Sequence, residues 1–331
     1  MFATRVHQSA YRLGSRMAQS PSFSTVRRAL RIMAKIKRID LRQGLSIEDG
    51  SRKHFIIVLD NIQTYAQQYN QRIGTTNQMI TGTAATAVEM EDYQPGAFDL
   101  DPLLEQMEDR HRDELTLEKL MDDIDWKHLQ MVSMLHWLQA LVSFVPSLLS
   151  YKNDVMHLFA TQASKFPINP SRHTKVHPLG TNGANEVSTQ GIKEAVSDFL
   201  QQLGISNDTY GRKIIFFTGD GKSFEGMGKI KTYLSGEDGD FKSLRFLQPG
   251  LEVWHTKWTD LNRITSSHWG SAGFDKTDPS TLGFIARAIN SPIPTNPKKT
   301  DFYPGTRLVE LTLQGHMLHC WEYVVTINHY N

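Results

Sequence analysis

Two fully apolar runs set the frame of this chain. The first, Phe55 to Leu59, leads into Asp60-Asn61; the second, Ile214 to Phe217, leads into Thr218-Gly219-Asp220-Gly221. Short β-branched and aromatic runs bounded by turn formers predict strands buried on both faces, as in the middle of an α/β sheet. After the second run, Phe224, Met227, Ile230, Tyr233 and Leu234 recur at three- and four-residue steps, which predicts a helix. Asp220 therefore stands where a buried strand opens into a helix. Two roles suit that position. One is a ligand or catalytic group at the carboxyl edge of the sheet, where such groups collect; the other is the cap of the following helix, with the glycines making the turn. Asp60 repeats the arrangement. Two carboxylates on neighbouring strands can share a divalent cation, because hard cations take oxygen ligands, whereas an isolated aspartate after a strand is more commonly a turn former.

Between these strands the pattern changes. Tyr65 to Gln78 is polar and rich in Gln and Asn, a surface loop, and Met79 to Met90 is small and β-tolerant, an adjoining strand. From about 100 to 166 the apolar positions fall at helical spacing, which predicts a helical insertion. Leu129 to Leu149 is apolar enough to span a bilayer. Gln130, Ser133, His136, Gln139 and Ser143 interrupt it and Pro146 sits near its end, so the expectation is a buried core helix and no membrane. Val187 to Leu203 reads as an amphipathic helix ended by Gly204. Further on, Leu251, Trp254, His255, Trp258, Leu261 and Ile264 share helical spacing. His255 is then either a satisfied histidine on an aromatic face or, if this helix packs beside the two strands, a metal ligand or proton carrier. A Gly-, Pro-, Ser- and Asn-rich stretch at about 270–304 is expected to run extended over the surface. The organisation expected is a basic helical segment over 1–50 and a single α/β core over 51–331.

The 331 residues suffice for a sizeable core, and 39% hydrophobic with 21% charged residues is ordinary for a globular protein. The single Cys320 excludes an intramolecular disulfide framework and fits a reducing compartment. The net charge of +1 conceals segregation: residues 1–39 carry nine Lys or Arg and no acid, while the other 27 basic and 35 acidic residues leave the remainder at −8. That basic head admits three readings: a transit peptide for mitochondrial import, an arm touching nucleic acid through Arg27, Arg28, Arg31, Lys35 and Lys37, or a helical pair with a solvated basic face. Val26, Leu30, Met33, Ile36 and Ile39 form a stripe in the head that should dock on something, which a transit peptide does not do.

Several apparent motifs fail on spacing. Gly221-Lys222-Ser223 resembles the end of a phosphate-binding loop, but the glycine required five residues earlier is Phe216, inside the strand. The acidic loop at Gly236 to Asp240 lacks the twelve-residue calcium frame and its closing glutamate. His316, His319 and Cys320 have no second ligand pair for zinc. The eleven acidic residues from Asp99 to Asp125 read as a solvated face.

One combination is more specific than its parts. Asp60-Asn61-Ile62-Gln63, Gly82-Thr83-Ala84-Ala85-Thr86, Pro178-Leu179-Gly180-Thr181-Asn182, Gly219-Asp220-Gly221, Val253-Trp254-His255-Thr256-Lys257, Asp278-Pro279-Ser280 and Asp301-Phe302-Tyr303-Pro304 follow one another in an order that resembles a large fungal family, abundant in basidiomycetes and known by the domain of unknown function DUF6589. The resemblance extends over roughly Arg27 to Trp321. It implies a transposon-related protein with a ribonuclease H-like core, a mixed sheet flanked by helices. In such cores two strand aspartates and a later acid bind two metal ions that activate water or a 3′-hydroxyl for phosphodiester transfer. By that resemblance Asp60 and Asp220 are the first two ligands of Mg²⁺ or Mn²⁺, and His255 matches a histidine found after the second aspartate in some transposase groups. DNA is then the expected partner. The third acid is not evident: Glu252 and Asp260 flank His255, and Glu310 and Glu322 lie later. Two functions from different classes follow, a metal-dependent nuclease or strand transferase and a non-catalytic remnant that binds nucleic acid or protein. The sequence leaves the oligomeric state open.

Overall fold

The apolar runs become strands of one five-stranded mixed sheet, in a computed structural model that describes residues 8–18, 20–45, 53–67, 76–185, 188–271, 277–294 and 296–330. The strands are β1 (His54–Ala66), β2 (Gln78–Met90), β3 (Val176–Pro178), β4 (Ile215–Gly219) and β5 (Leu247–Leu251), in the order β3-β2-β1-β4-β5. β2 runs antiparallel to β1 and β3, whereas β4 is parallel to both β1 and β5. The α-helices in chain order are α1 (Gln8–Arg16), α2 (Phe23–Leu45), α3 (Leu100–Glu108), α4 (Leu117–Asp122), α5 (Trp126–Phe144), α6 (Lys152–Leu158), α7 (Thr189–Leu203), α8 (Gly221–Tyr233), α9 (Val253–His268), α10 (Leu282–Ala288) and α11 (Phe302–Tyr330). The chain divides into two compact units, Met1–Glu108 with Thr174–Glu252 and Asp109–His173 with Val253–Asn331. The sheet lies wholly in the first.

Alternation along the strands selects the packed face of that sheet. Phe55, Ile57 and Leu59 of β1 and Ile215, Phe217 and Gly219 of β4 are buried, while Ile56, Val58, Phe216 and Thr218 are half-buried. The strands are therefore fully covered on one side only, not on both as expected. On the packed side α7 contributes Ile192, Val196, Phe199 and Leu203, and α8 contributes Met227 and Ile230. Fully burying a side chain of this size stabilises by about 1.5–3 kcal/mol, so this layer holds the unit together. The other side is covered near the amino end of the strands by Phe98, whose ring stacks on His54 at 4.3 Å and meets Phe216 edge-on at 6.0 Å.

Local chemistry explains the element ends. The Ser188 hydroxyl accepts the Gly191 N–H at 3.0 Å and opens α7, and Gly204 closes it at φ 74°, a conformation glycine adopts without strain. The expected start of that helix at Val187 lies outside the described residues, as do residues 68–75 of the expected polar loop. Several of the motif residues prove to be sheet fasteners. Thr83 and Asn182 exchange N–H···O bonds of 3.0 Å in both directions, and a side chain on Gly82 would come within 2.5 Å of the Asn182 carbonyl. The buried Gln202 accepts the Gly180 N–H at 2.7 Å and donates to the Gly180 carbonyl at 2.8 Å.

Three features depart from expectation. β1 does not stop at Asp60; it pairs with β2 for thirteen residues, so Asp60 lies opposite Ala84 in mid-strand. β5 was not expected: Leu251, counted on the helical stripe with Trp254, instead ends this strand, in which Pro249 is tolerated because the strand lies at the sheet edge. The apolar stripe of α2 does not dock: Leu30, Met33, Ile36 and Ile39 are exposed, and it is Leu41 near the end of the helix that is buried.

The second unit is helical. α11 packs against α5, α9 and α10, and Trp137 of α5 meets Trp321 of α11 edge-on at 6.1 Å. α5 buries Leu135, Ala140 and Val142 but leaves Leu129, Met134 and Phe144 exposed, so only one side of this apolar helix is covered. Within 270–304, expected to be extended, Leu282–Ala288 forms a helix capped by the Thr281 hydroxyl on the Phe284 N–H. Among the described residues no helix is long and apolar enough to cross a membrane.

Candidate functional site

Parallel pairing sets the relation between the two strand aspartates. Ile56, Ile57 and Val58 of β1 stand level with Phe216, Phe217 and Thr218 of β4. Continued by two residues, the same register brings Asp60 level with Asp220 on the neighbouring strand, and residues paired in this way face the same side of a sheet. A side chain on Gly219 would lie 3.4 Å from the Leu59 carbonyl, so the two backbones are still adjacent there. Adjacent strands lie about 4.8 Å apart. Both aspartates follow the half-buried alternation, on the side of the sheet away from α7 and α8, and Asp60 is exposed.

Asp220 caps α8. Its Oδ1 accepts the Ser223 N–H at 2.8 Å, and its extended backbone, at φ −67° and ψ 177°, continues the line of β4 before the helix begins. Capping engages one of its two carboxylate oxygens. Gly219 makes the turn possible, since a Cβ there would meet the Ser223 Cβ at 2.8 Å. Glu252 follows β5, and its N–H donates to the Gly219 carbonyl at 2.9 Å, which sets its backbone beside Asp220 at the carboxyl edge. Asp60, Asp220 and Glu252 thus fall at successive places along one edge, on β1, β4 and the residue after β5. Their side chains do not converge as a ligand set: among the described residues no group of three or more His, Cys, Asp or Glu is placed to hold a metal ion.

His255 belongs to the second unit, in the first turn of α9. Its ring meets Trp254 edge-on at 4.9 Å, and Trp254 in turn contacts Trp258 at 5.1 Å and Phe302 at 5.5 Å. The Trp258 Nε1–H donates to the Thr300 carbonyl at 2.8 Å. His255 is thus part of a packed aromatic cluster that joins α9 to the start of α11.

Arg27, Arg28, Arg31, Lys35 and Lys37 are all exposed along α2, and Lys37 pairs with Asp40 at 3.5 Å. α2 thus leaves these five cations and most of its apolar stripe exposed, while Arg42 near its end donates to the Gln201 carbonyl at 2.8 Å.

Among the described residues, the most buried ionic cluster was not anticipated from sequence. Glu89 Oε1 accepts hydrogen bonds from Lys53 Nζ at 3.0 Å and from His177 Nε2 at 2.7 Å, with Lys175 Nζ 3.6 Å from Oε2. Burial works against ionisation of Glu89, but the hydrogen bonds from Lys53 and His177 and the nearby lysine charges outweigh it and hold the carboxyl below its ordinary range. The cluster ties the start of β1, the end of β2 and β3 together. Its one sequence signal is a glutamate inside the small apolar run of residues 84–90.

Mixed sheet, flanking helices and a carboxylate edge define an α/β protein with a helical second unit. Residues 110–331, two thirds of the chain, match a family described as a family of unknown function (DUF6589), and the chain belongs to that family. The match includes Asp220, Glu252 and His255, while β1 with Asp60 precedes it. No curated protein and no solved structure matched the chain.

Proposed function

We propose that this chain is a transposase-derived protein with a ribonuclease H-like core, in which Asp60 and Asp220 hold Mg²⁺ or Mn²⁺ for phosphodiester cleavage or strand transfer on DNA. The observation that carries this reading is the parallel register of β1 and β4, which, continued two residues past Val58 and Thr218, sets Asp60 level with Asp220. The donor set suits the metal. Mg²⁺ keeps several waters and is commonly held by one or two carboxylates together with substrate phosphates, so two carboxylates fit without a complete protein cage. When bound, such a cation supplies charge stabilisation at the phosphate and a more acidic bound water. The chain's own part is to fix the spacing of the carboxylates: the Ser223 N–H orients Asp220, and the β1–β2 pairing holds Asp60 rigid. Glu252 completes the row along the edge. The exposed cations of α2 supply sequence-independent attraction to phosphate, which weakens as salt rises.

The test is cleavage of supercoiled plasmid in Mn²⁺ by the full chain. Asp60→Asn should abolish cleavage while leaving far-ultraviolet circular dichroism and the melting transition unchanged, and cleavage retained in that variant sinks the assignment.

A second reading, a catalytically inactive remnant that binds nucleic acid or protein, is favoured by the exposure of α2 and by the absence of a three-ligand cluster among the described residues. It requires binding that survives chelator and is lost when Arg27, Arg28 and Arg31 become glutamate.

A further inference from the structure

The far end of the first unit carries a separate cavity. α7 and α8 pack side by side, and a cleft of about 660 Å³ runs along α7 from Lys193 to Gly204 and past the end of α8 at Leu234. Asp220 opens α8 and Leu234 follows its last residue, so thirteen helical residues, about 20 Å, separate the Leu234 end of this cleft from the carboxylate edge. Leu200, Ile205, Leu234 and Leu244 supply a buried apolar floor. Phe241 forms one wall, held by its stack on Phe246 at 5.0 Å.

The polar rim has a defined sign. Arg42 is already engaged: its Nη2 donates to the Gln201 carbonyl at 2.8 Å and satisfies the end of α7. Lys193 and Lys242 also line the cleft, and among the described residues neither has an ion-pair partner. Glu237 is the single acid on the rim. Long lysine stems can lie along an apolar floor and keep the ammonium at its edge. A concave site of this volume, with an apolar floor and cationic side chains among its lining, has the form of a small-molecule site.

We infer that this cleft binds a small amphipathic anion, an apolar body bearing one carboxylate, sulfonate or phosphate, with the body on Leu200, Leu234 and Leu244 and the anionic group between Lys193 and Lys242. The site does not depend on the nuclease reading. A nucleic acid suits it less well, because the floor offers no partner for a backbone of repeated charges.

The experiment is a fluorescence titration of the full chain with two probes of similar shape, anionic anilinonaphthalene sulfonate and neutral phenylnaphthylamine. Saturable binding of one molecule of each per chain is expected, with sodium dodecanoate displacing both. In the double variant Lys193→Met/Lys242→Met the anionic probe should lose about tenfold or more in affinity, the loss of a charge-assisted contact, while the neutral probe is unchanged. Ser197→Trp, which fills the cleft from the surface of α7, should abolish both. Equal affinity of the anionic probe for wild type and the lysine variant overturns the inference, as does non-saturating binding. Should Ser197→Trp fail to fold, the lysine variant decides alone, since its substitutions lie at the rim.

Discussion

The carboxylate of Asp220 has two roles to separate, and substitution can separate them. In Asp220→Ala the Ser223 N–H loses its acceptor at the start of α8. Loss of an N-cap side chain costs about 1 kcal/mol, within a range of about 0.5–2. A negative charge at a helix amino terminus adds about 0.3–1 kcal/mol at low ionic strength. Alanine removes both contributions, about 1.5 kcal/mol together, whereas Asp220→Asn keeps an acceptor oxygen and gives up only the charge, about 0.5 kcal/mol. For a unit of this size each kcal/mol moves the melting midpoint by about 2–4 °C. The expected falls are thus about 3–6 °C for alanine and about 1–2 °C for asparagine, read by circular dichroism or calorimetry at low salt. Calorimetric titration with Mn²⁺ then isolates the second role: asparagine should keep the fold and lose the metal. Equal destabilisation by the two variants would refute the capping argument, and unchanged Mn²⁺ affinity in Asp220→Asn would remove Asp220 from the site.

Three further outcomes follow from the packing. Gln202→Leu strands the Gly180 N–H and carbonyl, and should destabilise by about 2–3 kcal/mol in urea denaturation; a change under about 0.5 kcal/mol contradicts the pairing. Gly219→Ala forces a Cβ to within 2.8 Å of Ser223, so β4 and α8 must separate, and a drop in the urea midpoint larger than that of Asp220→Ala is expected. Glu89 has a folded-state pKa below its ordinary value of 4.5, so its contribution to stability is complete above that pH and is lost as the pH falls towards the folded-state value. Glu89→Gln should therefore flatten the dependence of the urea midpoint on pH below about 4.5, while a wild-type slope in that variant contradicts the assignment.

The parts legible in the sequence were those governed by local pattern. Ile214 to Phe217 and Phe55 to Leu59 showed as strands because a short, unbroken apolar run between turn formers has the length and composition of a strand and is too short for a helix. The cap and glycine turn at Asp220 are likewise short-range chemistry. The neighbourhood of Asp60 and Asp220 could be guessed but not read, since parallel pairing between residues 160 positions apart depends on the whole sheet. The same cause hid β5, where Pro249 argues against a strand until the edge position is known. It also hid the Glu89 cluster, because Lys53, His177 and Lys175 meet Glu89 only after β1, β2 and β3 assemble. α2 failed in the opposite sense. Its apolar periodicity is real, but a helical period reports which face is apolar and not what lies against it.

The most direct measurement is the anomalous scattering of a crystal of the full chain soaked in Mn²⁺. A peak is expected at the edge where Asp60 of β1 lies level with Asp220 after β4, within coordination distance of Asp60 and of the Asp220 oxygen not used in capping, and it should be lost in Asp60→Asn. A crystal saturated with Mn²⁺ that shows no peak between those two carboxylates would contradict the assignment, and the exposed surface of α2 would then become the functional centre of the protein.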